Sequence, residues 1–544
     1  MNEPPADMIR KPPQPMPASQ PLRGQREFPG ARHSGPHRPT RSKPRRKFGR
    51  SPIPPPCSGP ECRAPLVASR TRLGALLFAF ILALSAAAAP RPNVVFFLAD
   101  DLGYMDVGAY NPKTFYETPN IDGLAARGMK FTAGYAACPV CSPTRAAIMT
   151  GKYPVRTRIT DFIGGHRAGK LLPAPNQDHL ALEEVTLAET LRDAGYTNFF
   201  AGKWHLGTGP YSPSAQGFSP DLVGANQFYY PKTDLPPPDK TTDPKTTDRI
   251  ADEAVRFIEA NKDKTFFAYL PFQAVHIPIQ AKPELVEKYQ RKRATAPPDA
   301  MGHEGKSPLR LVQNHAAYAA MLEQMDSAIG RVLAALERHG LSERTIIIFT
   351  SDNGGLATAE GSPTSNLPLR AGKGWAYEGG VRVPLIIRAP GVTQPKSTSD
   401  TPVISPDFYP TLLELAGLPA LPQQHLDGVS LVPLLKGGRL ARAPLFWHYP
   451  HYGNQGGAPF SAIRERDWKL IEWLEDGRLE LFDLRHDLAE TNNLADRQPA
   501  KAKPLHARLV AWRQDLQAAI PAPNPDFPTK LPAPTNAPDK QLTK

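Results

Sequence analysis

Residues 93–101 read Asn-Val-Val-Phe-Phe-Leu-Ala-Asp-Asp, an apolar run that ends in two carboxylates. Four later segments have the same β-branched and aromatic character: 197–200, 265–270, 345–350 and 383–387. Continuous apolar runs of this kind are typical of strands buried on both faces, as in a mostly parallel sheet. Segments with helical spacing alternate with them, at 187–194, 248–261 and 315–338. The alternation predicts an α/β sandwich, in which a large, mostly parallel sheet is flanked by helices.

Polar side chains follow four of the predicted strands. They are Asp100 and Asp101, then Lys203 and His205, then His276, then Asp352 and Asn353. Ligands of open α/β sheets bind beyond the carboxyl ends of the strands, so we expect these side chains to meet at one edge. Taken singly, each has an ordinary explanation as a helix cap, a structural histidine or a turn.

This combination of side chains suits an anion beside a hard cation. Lys203, together with Lys373 of a second glycine-flanked loop, offers positive charge for an oxyanion, while His205 and His276 offer proton transfer. Hard oxygen donors that suit Ca²⁺ or Mg²⁺ better than Zn²⁺ come from four side chains: Asp100, Asp101, Asp352 and Asn353.

Residues 138–151, Cys-Pro-Val-Cys-Ser-Pro-Thr-Arg-Ala-Ala-Ile-Met-Thr-Gly, predict a short helix. Pro143 suits its first position and Gly151 suits its end. Cys141 is then expected at the helix N-terminus, where free N–H groups and the helix dipole favour an anion. The spacing of Cys138 and Cys141 also fits a redox C-x-x-C pair, although no thioredoxin-like pattern surrounds it.

The same segment resembles the signature of the type I sulfatases, C-x-P-x-R, which Cys141, Pro143 and Arg145 match. Asp-Asp, Gly-Lys-Trp-His-Leu-Gly, Asp-Asn-Gly and Gly-Lys-Gly motifs accompany it in the order of that family, and the resemblance extends over residues 91–515. It implies an alkaline-phosphatase-like sandwich with a smaller C-terminal antiparallel sheet and one helix. It also implies hydrolysis of an organic sulfate ester, either a small molecule or an oligosaccharide. A sulfated carbohydrate is the expected substrate, with a simple aryl sulfate as the alternative.

The resemblance further implies a modified nucleophile and a metal ion. In that family the cysteine at the position of Cys141 is oxidised to formylglycine by a dedicated maturase. The hydrated aldehyde attacks sulfur, and sulfate is later expelled as the aldehyde re-forms. The expected ion is Ca²⁺, with Mg²⁺ as the alternative, and its ligands are the equivalents of Asp100, Asp101, Cys141, Asp352 and Asn353.

The remaining roles implied by the family belong to cationic and imidazole side chains. The equivalent of Arg145 supports the formylglycine, and the equivalents of Lys203 and Lys373 hold the sulfate oxygens. The equivalent of His205 assists the elimination, and that of His276 lies near the leaving oxygen. Such preorganised cations stabilise the charge that develops as the S–O bond breaks.

Two other functions compete with a sulfatase. A phosphatase or phosphodiesterase of the same fold superfamily would use Ser or Thr as its nucleophile and a two-metal site rich in His, whereas this chain has Cys141 at that position. A non-catalytic sulfoglycan-binding protein is expected if Cys141 stays a thiol.

The chain is strongly basic only at its start. Residues 1–90 contain 15 Lys and Arg against 4 Asp and Glu, a net +11 of the total +13, so the remainder carries +2. A nearly neutral body does not favour nucleic acid as a partner. Residues 1–69 are rich in Pro and Arg and are predicted to be a disordered extension, for which a nucleic-acid arm is the alternative interpretation.

Residues 70–90 have the layout of a secretory signal peptide, with Arg70 and Arg72 before an apolar run over 73–84 and a small-residue stretch. The run is too short to span a bilayer comfortably, so no stable membrane insertion is expected after cleavage. We therefore expect an exported protein, periplasmic or secreted. A leader this far into the chain also indicates that translation starts near Leu66 or Val67.

The mature chain is expected to contain a catalytic domain over 91–439, a small C-terminal α+β subdomain over 440–519 and a disordered tail over 520–544. Within the subdomain we predict short antiparallel strands at 460–464, 468–473 and 480–484, followed by a helix over 504–518. The basic stretch 289–310 is predicted to be either a solvated loop or a rim that attracts a polyanionic substrate.

The sequence indicates the residues that determine substrate specificity less clearly than it indicates the charged cluster. The candidates are polar and aromatic side chains in segments expected near the sheet edge: Asp161, His166, Arg167, Arg370, Trp375, Tyr377, His448 and His451.

Overall fold

The structure is a computed structural model that describes residues 91–225, 227–232 and 245–527. The predicted leader, the extension before it and residues 528–544 of the predicted tail lie outside these described residues. Within the described part of the chain, no helix is both long enough and apolar enough to cross a membrane.

The described strands and helices alternate along the chain. The strands are β1 Asn93–Ala99, β2 Met129–Phe131, β3 Gly134–Tyr135, β4 Thr197–Phe200, β5 Gly202–Lys203, β6 Leu222–Ala225, β7 Phe228–Pro231, β8 Phe266–Pro271, β9 Met301–Glu304, β10 Ser307–Arg310, β11 Thr345–Ser351, β12 Leu385–Arg388, β13 Ser397–Ser399, β14 Val403–Ile404, β15 Leu445–Tyr449, β16 Phe460–Glu465, β17 Trp468–Trp473 and β18 Leu479–Asp483. The helices are α1 Pro119–Arg127, α2 Cys141–Thr150, α3 Pro154–Thr157, α4 Leu187–Asp193, α5 Lys245–Ala260, α6 Pro283–Arg293, α7 Ala316–Arg338, α8 Glu378–Val381, α9 Phe408–Leu415, α10 Val432–Leu435 and α11 Pro499–Asp515.

A seven-stranded sheet forms the centre of the fold, in the order β13-β2-β12-β11-β1-β8-β4. The strands β4, β8, β1 and β11 are mutually parallel, and β12 runs antiparallel to both of its neighbours. All five predicted apolar runs are strands of this sheet. The mostly parallel sheet expected from the sequence is therefore confirmed.

Helices cover both faces of the central sheet because successive side chains of each strand point to opposite faces. On β1, Val95 and Phe97 lie in a core that includes buried residues of α7, such as Ile329. Their neighbours Val94 and Phe96 lie in a second core with residues of α2 and α9. A strand enclosed by two cores needs apolar side chains at successive positions, as residues 94–98 provide.

The C-terminal strands β15, β16, β17 and β18 form a separate antiparallel sheet in that order. Leu505 and Leu509 of α11 pack on one face of it, against Ile463 and Leu470. The predicted helix over 504–518 was placed too late, because α11 begins at Pro499 and contains Pro504 in its interior. Pro499 at the first helical position is as good a start signal as Pro504, and sequence alone does not choose between them.

Two further local predictions differ from the structure. Helix α2 begins at Cys141 and not at Pro143, because Val140 is its N-cap; Pro143 is tolerated since the first N–H groups of a helix have no partner within it. The basic stretch is a loop only over residues 294–300, because 289–293 form the end of α6 and β9 pairs with β10 in the part that follows.

A buried charge cluster joins the C-terminal sheet to the loop that contains Lys373. Lys469 of β17 is fully buried, and its Nζ lies 2.9 Å from carboxylate oxygens of both Glu378 and Glu490. Glu490 also accepts the backbone N–H of Glu378 at 2.6 Å. Burial raises the pKa of Glu490 to about 7, whereas the pKa of Glu378 is lowered, because Lys469 and Arg382 outweigh the effect of its burial.

The substitution Lys469→Met is expected to lower the free energy of unfolding by about 3–5 kcal/mol, because it leaves buried carboxylates without their shared cation. Lys170→Met is the matched control; Lys170 makes an exposed pair with Glu475, and its loss should cost no more than about 0.5 kcal/mol. Urea unfolding followed by tryptophan fluorescence measures both. Equal costs for the two variants would contradict a structural role for the cluster.

Candidate functional site

Three buried carboxylates meet at the carboxyl ends of β1 and β11. These strands pair in register with Ala99 opposite Ser351, so Asp100 and Asp352 follow side by side. The backbone N–H of Asp101 donates to Asp352 Oδ1 at 3.2 Å. Asp101 has a φ of 62°, in the left-handed region that few residues other than glycine adopt. The strand ends thus hold these acids close together, as the sequence predicted.

Arg145 of α2 is fully buried and neutralises one of these acids. Its Nε and Nη2 donate to Asp352 Oδ2 at 3.0 and 2.7 Å, and its Nη1 donates to the carbonyl of Lys203 at 2.8 Å. Burial and the neighbouring Asp100 raise the pKa of Asp352 to about 7, even though Arg145 opposes this. Arg145 therefore fixes the start of α2 against both β11 and the segment after β4.

Two lysines neutralise the other acids. Lys203 Nζ lies 2.5 Å from Asp100 Oδ2 and 3.7 Å from Cys141 Sγ. Lys373 Nζ lies 2.8 Å from Asp101 Oδ2. The pKa of Lys373 is raised, because Asp101 outweighs the effect of burial. Both ammonium groups are charged. That of Lys203 lies beside Asp100 and the sulfur atom of Cys141, and that of Lys373 lies beside Asp101.

Cys141 is the first residue of α2, and it is 2% exposed. Its thiol donates to Asp100 Oδ1 at 3.4 Å. Burial raises the pKa of this thiol well above its usual range, although Lys203 and Lys373 act in the opposite direction. As a thiol, Cys141 is thus protonated and unsuited to act as a thiolate nucleophile. Cys138 is also free and buried, so neither cysteine is in a disulfide.

Both predicted histidines lie at the same site. His205 Nε2 is 3.2 Å from the carbonyl of Ile163, and its buried Nδ1 has no hydrogen-bond partner among the described residues. His276 Nε2 is 3.6 Å from Asp101 Oδ2. Burial, together with nearby lysines, lowers the pKa of both imidazoles, so both are neutral at physiological pH.

Four side chains of this cluster could hold a metal ion. Single ligand atoms of Asp100, Asp101, Cys141 and His276 lie within 4.8 Å of one another. Asn353 Oδ1 is buried without a hydrogen-bond partner among the described residues, while its Nδ2 donates to Asp101 Oδ1 at 2.8 Å. An amide oxygen left free beside carboxylates is a ligand that a cation would satisfy. His276 belongs to this group, which the sequence did not predict.

Close backbone contact brings the Lys373 loop onto the segment that contains Asn353. The N–H of Gly354 donates to the carbonyl of Gly380 at 2.9 Å, and that of Lys373 donates to Gly355 at 3.1 Å. A Cβ on Gly354 would lie 1.8 Å from the carbonyl oxygen of Gly379. Only glycine permits this approach, which explains the Asp-Asn-Gly-Gly and Tyr-Glu-Gly-Gly sequences.

A cavity of about 330 Å³ opens onto this cluster. Six of the predicted site residues line it: Asp100, Cys141, Lys203, His205, His276 and Lys373. The rest of its wall consists of apolar and amide side chains and one carboxylate: Phe162, Ile163, Gln227, Phe228, Gln273, Ile277, Pro278, Glu360, Asn454 and Gln455.

The predicted specificity residues do not line this cavity. Trp375 is buried, and its Nε1 donates to Thr358 Oγ1 and to the carbonyl of Gln455. The ring of Tyr377 stacks on that of Trp375, and Nδ1 of His448 forms a hydrogen bond with Ser461 Oγ within the C-terminal sheet. These side chains make packing contacts and hydrogen bonds within the protein, and their predicted part in substrate specificity stays a prediction.

The other candidates are likewise placed away from the cavity. Asp161 and His451 are buried, His451 Nε2 lies 2.8 Å from Thr160 Oγ1, and Arg370 forms an ion pair with Glu304. His166 and Arg167 are exposed but do not reach the wall.

The basic stretch does not form a rim of free cations. Lys292 pairs with Glu117, and Arg293 and Arg310 pair with Asp299. None of these side chains lines the cavity.

The sequence analysis missed the amide side chains of the cavity wall, which are Gln227, Gln273, Asn454 and Gln455. Gln273 is the second residue after β8, so the strand-end rule that selected His276 would also have found it.

Comparisons with known proteins agree with this geometry. A family described as Sulfatase matches residues 92–418, and one described as N-sulphoglucosamine sulphohydrolase, C-terminal, matches residues 371–515. A sulfatase of Formosa agariphila is 33% identical over 508 residues, covering 78% of this chain and 88% of that protein. The chain belongs to the sulfatase family.

Other relatives of this sulfatase have more specific names. The N-acetylgalactosamine-6-sulfatase of Mus musculus is 32% identical, covering 77% of this chain and 79% of that enzyme. The crystal structure of Ps i-CgsB in complex with k-i-k-neocarrahexaose has a TM-score of 0.64 and 27% identity, covering 80% of this chain and 94% of that one. The likeness confirms the alkaline-phosphatase-like fold implied by the sequence.

Proposed function

We propose that this sulfatase removes sulfate from a sulfated carbohydrate and that its nucleophile is a formylglycine made from Cys141. The observation that carries the proposal is the position of Cys141. It starts α2 inside the C-x-P-x-R motif, 3.4 Å from Asp100 and 3.7 Å from Lys203, on the wall of the cavity.

The carbohydrate substrate is supported by the relatives and by the cavity. One relative is named for N-acetylgalactosamine 6-sulfate hydrolysis, and a similar solved structure holds k-i-k-neocarrahexaose. Amide side chains beside apolar ones, as on the wall of this cavity, are suited to the hydroxyls and C–H faces of a sugar. A simple aryl sulfate is the alternative substrate.

Burial raises the pKa of the Cys141 thiol, so the unmodified thiol is poorly suited to act as the nucleophile. A hydrated aldehyde in its place supplies a hydroxyl nucleophile and lets sulfate leave as the carbonyl re-forms. Its formation requires a maturase as a partner.

The cations of the site act on the sulfate group. A sulfate ester is a monoanion whose leaving oxygen gains negative charge as the S–O bond breaks. Lys203 and Lys373 are charged and buried, so they stabilise that charge without reorganisation. Arg145 holds Asp352 and the start of α2 in place. Neutral His205, whose Nδ1 has no partner among the described residues, can take up a proton. We propose that His276, 3.6 Å from Asp101, acts near the leaving oxygen.

A Ca²⁺ ion, with Mg²⁺ as the alternative, would be held by Asp100, Asp101, Asp352, Asn353 and the modified Cys141. It would supply additional positive charge for the sulfate oxygens. We also propose that residues 70–90 direct export and that the catalytic domain spans 91–439, followed by the subdomain over 440–519.

Mass spectrometry of the peptide that contains Cys141, from protein produced with a maturase, is expected to show an aldehyde in place of the thiol. Cys141→Ala is expected to be folded and inactive, whereas the matched buried variant Cys138→Ala should keep its activity. Full activity in a protein whose Cys141 remains alkylatable would contradict the proposal. Faster hydrolysis of an aryl phosphate than of an aryl sulfate would favour the phosphatase alternative.

Lys203→Ala and Lys373→Ala are expected to lower kcat/KM by about 10²–10³-fold, as for loss of one charge-stabilising donor. The factor should be similar for an aryl sulfate and a sugar sulfate, because both lysines act on the group that the two substrates share. Lys262→Ala, at an exposed lysine paired only with Asp263, is the control and should change neither rate. Loss on the sugar sulfate alone would place that lysine in the sugar subsite.

Ca²⁺ at about a hundred times its Kd is expected to stabilise the matured protein by about 2.7 kcal/mol, and a chelator should reverse this. Asn353→Ala is expected to reduce the rise in thermal midpoint that Ca²⁺ causes, because it removes the free amide oxygen from the proposed ligand set. Asn492→Ala, at an exposed asparagine, is the matched control. An undiminished Ca²⁺ response in Asn353→Ala would contradict the ligand set.

A further inference from the structure

The cavity wall beyond the charged cluster has an unusual composition for a site that binds an anion. Its polar side chains are three amides from separate segments, Gln227, Gln273 and Gln455, with Asn454 and the carboxylate of Glu360. We infer that this wall is a subsite for an uncharged, hydroxyl-bearing sugar ring, and that Glu360 selects against substrates with a second anionic group. The inference rests on the proposed function and names its substrate class.

Gln273 offers a hydrogen-bond acceptor that the protein leaves unused. Its side chain is 6% exposed, and its Oε1 is buried with no partner among the described residues. The carbonyl of Gln273 accepts the N–H of His276 at 2.9 Å, which fixes the segment beside the charged cluster. An unpaired buried amide oxygen is costly, and a sugar hydroxyl that donates to it would remove that cost.

Gln455 provides a second unused acceptor on the wall. The residue is 3% exposed; its Nε2 donates to Glu360 Oε2 at 2.7 Å, and its Oε1 has no partner among the described residues. Its backbone carbonyl accepts a hydrogen bond from Nε1 of Trp375 at 3.0 Å, and Trp375 is two residues after Lys373. The loop that contains the sulfate-binding Lys373 therefore also holds Gln455 in position.

Apolar side chains complete a surface that fits a sugar ring. Phe228 of β7 lies opposite Lys203 of β5 in the strand pairing, so an aromatic ring stands next to a sulfate-binding residue. Ile277 and Pro278 follow His276 along the same wall. The C–H face of a sugar packs on such side chains, while its hydroxyls meet the amides.

The charge of the wall determines which sugars fit. Among the described residues that line the cavity, the only cations are Lys203 and Lys373, and each is paired with a carboxylate of the cluster. Glu360 is exposed at the wall, held by Gln455. A second sulfate or a uronate at this wall would thus face a carboxylate, while both cations that line the cavity are already paired. At a separation of a few ångströms, a partly solvated repulsion of this kind lowers binding by about tenfold.

The test compares kcat/KM for sulfate release from monosulfated N-acetylgalactosamine, its 4,6-disulfate and 4-nitrophenyl sulfate. The matured wild type is expected to prefer the monosulfate to the disulfate by about tenfold, and Glu360→Gln should largely abolish that preference. Gln273→Met, which keeps the shape of the side chain, should lower the ratio of sugar to aryl activity by about three- to tenfold. Glu343→Gln is the matched control; Glu343 is exposed at the opposite end of β11 and should change neither ratio.

The outcomes separate this inference from the proposal on which it rests. A wild type that hydrolyses both sugar sulfates equally well, or an unchanged preference in Glu360→Gln, overturns the selection against anions. Activity on 4-nitrophenyl sulfate with none on either sugar, or an unchanged ratio in Gln273→Met, overturns the sugar subsite and leaves the sulfatase activity standing. No sulfate release from any of the three substrates overturns the proposed function itself.

Discussion

The balance of three buried carboxylates against three buried cations is the constraint on which the rest of this structure depends. Asp100, Asp101 and Asp352 are removed from water at the end of two parallel strands, and each is paired with a different cation: Lys203, Lys373 and Arg145. Removing one partner of such a pair leaves an uncompensated buried charge, which is strongly destabilising. The segments that supply the cations are therefore held to the sheet edge by the same attraction that prepares the site for an anion.

The burial that makes these ion pairs strong also determines the state of the groups beside them. The thiol of Cys141 stays protonated, and the imidazoles of His205 and His276 stay neutral. Low solvent exposure strengthens the attraction between the lysines and an incoming sulfate, since fewer water molecules screen it. The Lys373 loop depends in turn on the C-terminal sheet, because Glu378 at its end is held by Lys469. The small sheet thus supports the Lys373 loop, and the segment that joins β15 to β16 contributes Asn454 and Gln455 to the cavity wall.

Substrate choice lies in a different part of the cavity from the charge balance. The sulfate end is made of charged residues from strand ends, from α2 and from the Lys373 loop, whereas the wall that would meet the organic group is made of amide and apolar side chains and one carboxylate. In a site divided in this way, substitutions in the wall can alter substrate preference while the residues that act on sulfate stay the same. Lys292, Arg293 and Arg310 of the basic stretch do not line the cavity and are paired with Glu117 and Asp299.

The sequence by itself determined the central sheet and the charged cluster. Apolar runs such as 94–98, bounded by polar residues, are typical of strands enclosed by two cores, and the residues that follow parallel strands meet at one edge. Only the tertiary structure decided the cavity wall, the antiparallel direction of β12 and the role of His276 in the donor group. It also decided the hydrogen bonds that Trp375 and His448 make within the protein. Whether a loop side chain faces a cavity depends on contacts with residues far away in the chain, and no local pattern records those contacts. Gln455 shows this best, since its position is set by Glu360 and Trp375.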